Sequence, residues 1–197
     1  MECNFCVQRL TWWIVTPPTS ELNEMVTLIT ERLTLRPFVS SDAFALETIF
    51  MDVDVMRYSD GVKSKQEIIV WVMDLIENQY PKNVGFLAMI RTADQVFLGY
   101  CGLTMISLED GRPVIELGYR LAHKFWGQGY ATEAARSMLD HATNVLRIDR
   151  IFSLIDPSND HSIRVAKKIG MRPRAEIMMP GYDHPDILFS IEKTDGV

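Results

Sequence analysis

The clearest chemistry in the chain lies between Phe125 and Ala134. In Phe125-Trp-Gly-Gln-Gly-Tyr-Ala-Thr-Glu-Ala134 two glycines, Gly127 and Gly129, stand where an apolar, β-rich run gives way to helical periodicity. Glycines at such a junction let successive backbone N–H groups converge on one concavity. The N-terminus of the following helix adds partial positive charge, so the segment suits a pyrophosphate. A P-loop would require GxxxxGK followed by Ser or Thr, and no lysine follows these glycines. A dinucleotide fingerprint would require GxGxxG, and its third glycine is here Thr132. Glycines that merely turn the chain remain the plain alternative.

Other residue types exclude more than they support. Cys3-x-x-Cys6 has a metal-ligand spacing, but no second such pair follows and His123, His141, His161 and His184 are scattered, so no metal site is expected. Three cysteines cannot form a disulfide framework, and the odd count points to a reducing, cytoplasmic compartment. Twenty Lys and Arg against 26 Asp and Glu give a net charge of −6, without the basic excess of a general nucleic-acid binder. The apolar run Leu10-Thr-Trp-Trp-Ile-Val15 is far too short to span a bilayer and lacks the features of a signal peptide, so no membrane partner is expected. Residues 1–29 read as an N-terminal extension: a strap packing Trp12 and Trp13 on the domain or on an oligomer partner, or a segment outside a working domain that begins near Met25.

The elements that must position the glycine segment follow from periodicity. Residues 31–37 alternate as a half-buried strand ending at a proline, and Ser40, Ser41 and Asp42 offer caps for a helix to about residue 51. A second helix over 64–79 opens on Ser64-x-x-Glu67, with Ile68, Ile69, Val72, Leu75 and Ile76 along one face, and stops at Pro81. Runs 86–90, 96–105 and 114–121 form three consecutive antiparallel strands, the first pair joined by the turn at 91–95. Ala131, Ala134, Ala135, Met138, Leu139, Ala142 and Leu146 then mark a helix over 129–146. A strand over 150–155, a helix from about Ser158 to Gly170, and strands near 174–178 and 187–191 complete the chain. Residues 30–193 therefore read as one mixed α/β domain, followed by a tail at 194–197.

The stretch from Glu116 to Ala134, Glu116-Leu-Gly-Tyr-Arg-Leu-Ala-His-Lys-Phe-Trp-Gly-Gln-Gly-Tyr-Ala-Thr-Glu-Ala134, resembles the acetyl-CoA signature of the GNAT N-acetyltransferases. The branch it resembles is that of the ribosomal-protein N-terminal (alanine/serine) acetyltransferases. Thr30-Glu-Arg-Leu-Thr-Leu-Arg-Pro37 is similar to that branch's opening strand, and Asn159-x-x-Ser162 and Lys168-Ile-Gly-Met171 extend the likeness over residues 30–193. The resemblance implies a GNAT-like acyl-CoA N-acyltransferase fold: a central, mostly antiparallel mixed sheet of about seven strands flanked by about four helices. It implies acetyl-CoA as acyl donor and a primary amine as acceptor, either a protein N-terminus such as a ribosomal protein's or a small amine.

Site residues carry over position by position. Trp126, Gly127, Gln128, Gly129, Tyr130 and Ala131 fall on the family loop, with Trp126 in place of its usual Gln or Arg, and Thr132 opens the helix; these would hold the pyrophosphate. Leu121 and Ala122 match positions whose backbone pairs with the pantetheine arm. Asn159 matches the residue orienting the cofactor near its thioester, and also suits a plain helix cap.

An attacking amine must be unprotonated, yet a free α-amino group titrates at roughly 7.7–8.0 and lysine near roughly 10.4, so a base is needed. Glu116 resembles the family's carboxylate and is the expected general base, with pairing to Arg120 as its structural alternative. The helical tyrosine that often protonates the leaving thiolate is replaced by Ala166, leaving Ser162 as the substitute and Tyr119 and Tyr182 as reserves. Arg164, Lys167 and Lys168 could meet CoA phosphates or form a solvated face. Direct attack in a ternary complex is favoured over an acyl-enzyme on Cys101, which sits in an apolar strand with no histidine beside it. A non-catalytic acyl-CoA sensor is the rival reading, and oligomeric state, a homodimer included, stays open.

Overall fold

The computed structural model describes residues 26–108, 111–179 and 182–192. Cys3, Cys6, Trp12 and Trp13, and with them the expected strap, lie outside those residues. Chain order is β1 (Leu28–Ile29), β2 (Leu33–Pro37), α1 (Ala43–Phe50), α2 (Lys65–Asp74), β3 (Gly85–Arg91), β4 (Val96–Ser107), β5 (Pro113–Leu121), α3 (Tyr130–Asn144), β6 (Arg150–Ile155), α4 (Asp160–Lys168), β7 (Arg172–Met178) and β8 (Pro185–Glu192). The strands form one sheet in the order β1-β2-β3-β4-β5-β6-β8-β7. Every neighbouring pair is antiparallel except β5 and β6. The sheet has eight strands rather than the expected seven because the chain before β2 folds back as the two-residue β1, too short to show alternation.

Local sequence explains the helices. Ser64 caps α2 by accepting from the Glu67 amide at 3.4 Å, while Glu67 accepts from the Ser64 amide at 2.8 Å, the reciprocal box its spacing predicts. Ile68, Val72 and Leu75 are buried as expected, but Ile69 turns outward and is 46% exposed. A π-helical turn over 75–79 follows α2, and Pro81 ends the segment. Helix α3 buries Ala134, Ala135, Met138, Leu139 and Ala142, the stripe read from spacing. Asp42 does not cap α1 with its side chain; its carboxylate takes the Arg36 guanidinium in a fork at 2.7 and 2.9 Å and the Val39 amide at 2.9 Å. No helix among the described residues is long and apolar enough to cross a membrane.

The two faces of β5 are separated by alternation. Arg120 donates to Met56 and Ser59 in the α1–α2 connection, whereas Tyr119 donates to the Ser162 carbonyl on α4 at 3.1 Å. Adjacent strand residues point to opposite faces, so the α1–α2 connection and α4 lie on opposite sides of this strand. On the first side the Phe86, Trp71, Tyr100 and Phe50 rings cluster, with Trp71 stacked on Phe86 at 5.8 Å. Two cross-strand glycines, Gly102 and Gly118, make room for this cluster. A Cβ on Gly118 would meet the Phe86 ring at 2.9 Å, and one on Gly102 would lie 2.2 Å from the Gly85 carbonyl. Because the Gly102 clash is with backbone, Gly102→Ala is expected to cost at least about 2 kcal/mol and to lower Tm by roughly 5 °C in calorimetry. An unchanged Tm would show that β3 and β4 can separate freely.

Candidate active site

The site opens where β5 and β6 part. These parallel strands share a single register pair, Glu116 with Phe152, and beyond it they diverge. Parting leaves backbone groups without ladder partners, and side chains supply them. The Leu154 amide donates to Glu116 Oε1 at 3.2 Å, and the Ser153 hydroxyl donates to the Leu117 carbonyl at 2.7 Å. Thus two side chains hold the mouth of a cleft of about 360 Å³ that runs between the strands.

One end of the cleft meets the glycine loop. Gly127 (φ 73°) and Gly129 (φ 85°) both occupy the left-handed region, which the turn into α3 demands. Gly129 precedes the helix, so the first amides of α3, at Tyr130, Ala131 and Thr132, have no carbonyl partner within it. Gly127, Gly129, Tyr130, Ala131 and Thr132 line the cleft. With the dipole of a 15-residue helix behind them, these groups favour an anion. Trp126 lines it too, its indole N–H donating to the Leu121 carbonyl at 2.8 Å and its ring lying between His123 and His161.

Two loop and strand residues fall elsewhere. The Ala122 amide donates to the Leu98 carbonyl at 2.9 Å, and Ala122 borders a separate surface depression with Lys124 and Glu47. Alternation then turns the amides of Leu121 and Tyr119 toward the edge that β6 has vacated, and both residues line the cleft. The backbone edge therefore belongs to Leu121 and Tyr119, not to Ala122. Gln128 also lies off the cleft; its side chain donates to the Lys124 carbonyl at 3.0 Å and its own carbonyl accepts from Arg32 at 3.1 Å.

Asn159 caps α4 by accepting from the Ser162 amide at 3.1 Å, so the plain capping role is present, and Asn159 and Ser162 both line the cleft. Arg164 and Lys168 line it as well, Lys167 does not, and Ala166 is buried beneath the helix. Burial holds the Tyr119 hydroxyl protonated well above its ordinary range, and it lies against Ser162. Tyr182 instead donates to Asp60 at 3.3 Å near the outer rim. Cys101 is fully buried, and burial pushes its thiol far up, which makes it a poor nucleophile.

Glu116 does not pair with Arg120. Four residues along a strand separate two side chains by roughly 13 Å, and Arg120 is engaged by Met56 and Ser59. Glu116, Asp156 and Asp186 all face the cleft, and sequence reasoning missed the two aspartates because no motif surrounds them. Burial raises the Glu116 carboxyl above its usual range; the Leu154 amide and Thr104 hydroxyl pull the other way, and the Asp186 charge adds to the rise. Burial and the Asp156 charge likewise raise Asp186, and His184 opposes them. Among the described residues, Asp156, His184 and Asp186 bring their ligand atoms within 4.8 Å of one another, and the two aspartates line the cleft.

A raised native carboxyl stabilises the fold when protonated, and that contribution is lost as pH rises through the native value. Glu116→Gln cannot ionise yet keeps an oxygen for the Leu154 amide. It is expected to match wild type near about pH 3, below the ordinary glutamate range, and to be the more stable of the two near about pH 8. Glu116→Ala leaves the Leu154 amide without its acceptor and should be about 1–3 kcal/mol less stable than Glu116→Gln at either pH. Urea denaturation across pH reads both, and a wild type that gains on the Gln variant as pH rises would contradict the raised carboxyl.

The sequence and the fold resemble those of known proteins. The family model described as an acetyltransferase (GNAT) domain matches residues 32–172. YkkB of Bacillus subtilis is 38% identical over 151 residues, 76% of this chain and 87% of that protein. The N-acetyltransferase p20 of Bacillus licheniformis is 33% identical over 154 residues, 75% and 83% of the two chains. Among solved structures, a GNAT-family acetyltransferase from Bacillus anthracis superposes with a TM-score of 0.74 at 25% identity, covering 85% of this chain and 98% of that one. The divided sheet, the glycine loop at the head of α3 and these likenesses agree: the chain belongs to the GNAT family of N-acetyltransferases, with acetyl-CoA as its acyl donor.

Proposed function

We propose that the protein acetylates a cationic primary amine by direct attack on acetyl-CoA, with Glu116 as general base. The observation that carries this reading is the Glu116 carboxylate at the point where β5 and β6 separate, inside a cleft that the glycine loop closes at its other end. The amides of Gly129 to Thr132 hold the pyrophosphate, and the edge of Tyr119 and Leu121 pairs with the pantetheine arm. That path brings the thioester to the parting of the strands. Glu116 lies on the α1–α2 side of β5, two positions from Gly118 and four from Arg120, so the amine enters from that side.

As the amine nitrogen bonds to the thioester carbon, Glu116 takes an amine proton, directly or through one water. A carboxylate raised by burial is a stronger base than an exposed one. Collapse of the tetrahedral adduct breaks the C–S bond, and the departing thiolate receives its hydrogen bond from the Ser162 hydroxyl, while the protonated Tyr119 hydroxyl donates to the Ser162 carbonyl at 3.1 Å and holds that residue in place. Ser162 supplies that hydrogen bond in the place the family often gives to a tyrosine, and the proton taken up by Glu116 balances the step when it returns through water to the thiolate.

Acidic walls support an acceptor with more than one positive charge. Asp156 and Asp186 face the cleft together with Glu116, and Asp60 accepts from Tyr182; Arg120 also lines the cleft, its guanidinium turned to the neutral Met56 and Ser59. A spermidine N(1)-acetyltransferase of Escherichia coli is 23% identical over 145 residues, in keeping with such an acceptor. A ribosomal L7/L12 α-N-protein acetyltransferase, solved with coenzyme A, shares the fold at a TM-score of 0.73 and 17% identity.

Free CoA release with acetyl-CoA against polyamines, aminoglycosides, amino acids and N-terminal peptides tests the reading. Polyamines should saturate at lower concentration than peptides with one amine. Glu116→Gln should lower kcat by about 10²- to 10⁴-fold, and Ser162→Ala and Tyr119→Phe by about tenfold each. Wild-type turnover in Glu116→Gln would remove the base assignment, and preference for uncharged peptides would remove the polycationic acceptor.

A further inference from the structure

The opening strand contributes a group that no part of the mechanism above uses. Arg32, immediately before β2, sends its guanidinium across to the start of α3. Its Nε donates to Glu133 Oε2 at 2.7 Å, its Nη2 reaches the same oxygen at 2.7 Å, and its Nη1 donates to the Gln128 carbonyl at 3.1 Å. The guanidinium also lies over the Tyr130 ring, 4.5 Å from its centroid. Glu133 in turn is fully engaged: Oε1 accepts from the Thr30 hydroxyl at 2.6 Å and from the Arg32 amide at 2.8 Å. Burial would raise the Glu133 carboxyl, but the Thr30 and Arg32 hydrogen bonds outweigh it and hold the group ionised. The fork is therefore fixed at three points, and its remaining arm holds one loop carbonyl.

That carbonyl is the one between the two glycines. In a planar trans peptide the C=O of Gln128 and the N–H of Gly129 point in opposite directions. Drawing the Gln128 oxygen outward to Arg32 thus aims the Gly129 amide inward, and Gly129 lines the cleft while Gln128 does not. With Gly129 flanking it in the left-handed region, this peptide plane could otherwise flip at low cost. The geometry points to Arg32 as a positioning residue for the acyl donor: it sets the plane of the Gln128–Gly129 peptide so that the Gly129 amide faces the pyrophosphate. The role rests on the proposed reading of the loop as the pyrophosphate seat. It assigns a purpose to the Thr30-Glu-Arg32 segment, which lies about a hundred residues from the loop and does not itself line the cleft.

Titration calorimetry with CoA on the full chain tests it, together with turnover on acetyl-CoA and on acetyl-pantetheine, which lacks the pyrophosphate. Arg32→Ala should bind CoA about tenfold more weakly, the loss expected of one oriented amide on an anion, while kcat/KM on acetyl-pantetheine stays at the wild-type value. Arg32→Lys should weaken CoA similarly, because a single ammonium cannot serve Glu133 and Gln128 with the geometry of the fork; it also stands in if the alanine variant does not fold. Thr30→Val removes a hydrogen bond from Glu133 without touching the loop and should leave CoA affinity within about twofold. Wild-type CoA affinity in both Arg32 variants overturns the proposal and leaves the pyrophosphate reading intact. Equal losses on acetyl-CoA and acetyl-pantetheine, or equal losses in Thr30→Val, show a general brace and overturn it as well. A wild-type chain that does not bind CoA overturns the loop reading and this inference with it.

Discussion

A parallel strand pair that touches at one register position and then separates creates a problem of unpaired backbone. Everything else at the site follows from how that problem is met. Within a continuous sheet the Leu154 amide and the Leu117 carbonyl would pair with neighbouring strands. Here a carboxylate and a hydroxyl take their places, from Glu116 and Ser153. An unpaired, partly buried peptide group costs about as much as a lost hydrogen bond, so these two side chains lower the cost of opening the cleft. Glu116 therefore has a structural duty beside the chemical one proposed for it. Its second duty also explains its setting: a group placed to complete a strand ladder is necessarily drawn out of water, and burial is what raises its carboxyl.

The aromatic cluster fixes the first half of the sheet against the helices that cover it. Phe86, Tyr100, Trp71 and Phe50 tie β3 and β4 to α1 and α2, and Phe86 and Tyr100 also line the cleft. Gly102 and Gly118 let the Phe86 ring lie close on the strands. Tyr80 adds a polar fastening, receiving the Phe38 amide at 2.9 Å and donating to the Phe86 carbonyl at 2.7 Å. Apolar packing and a few directional bonds thus converge on the strand that forms the wall of the site.

Much of this was legible in the chain. Periodicity marked every helix and every strand but β1, since a two-residue strand has no alternation to show. The glycine pair announced the loop because left-handed backbone before a helix leaves few other choices, and Asn159 announced the start of α4 through its capping chemistry. Other features arise only when distant segments meet. Ser153 reads as one more residue of a buried strand until the sheet divides beside it, and Asp186 reads as a polar residue at a strand start until β8 brings it to the cleft. The pairing of Glu116 with Arg120 fails on distance alone, because a strand spreads over roughly 13 Å what a helix would place within one turn. Ala122 was misplaced by one step of alternation, the smallest error a strand permits and one that reverses the direction of an amide.

The Tyr58 hydroxyl reaches the Ser158 carbonyl at 3.2 Å, joining the α1–α2 connection to the turn before α4 across the divided sheet. With β5 and β6 on its other sides, the opening becomes a ring, which the proposed routes of acyl donor and amine reach from opposite faces. Two reactants that arrive through separate doorways need not wait for one another, and neither product blocks the other's exit. The topology is thus suited to a catalyst whose order of binding is set by relative affinity, not by obstruction.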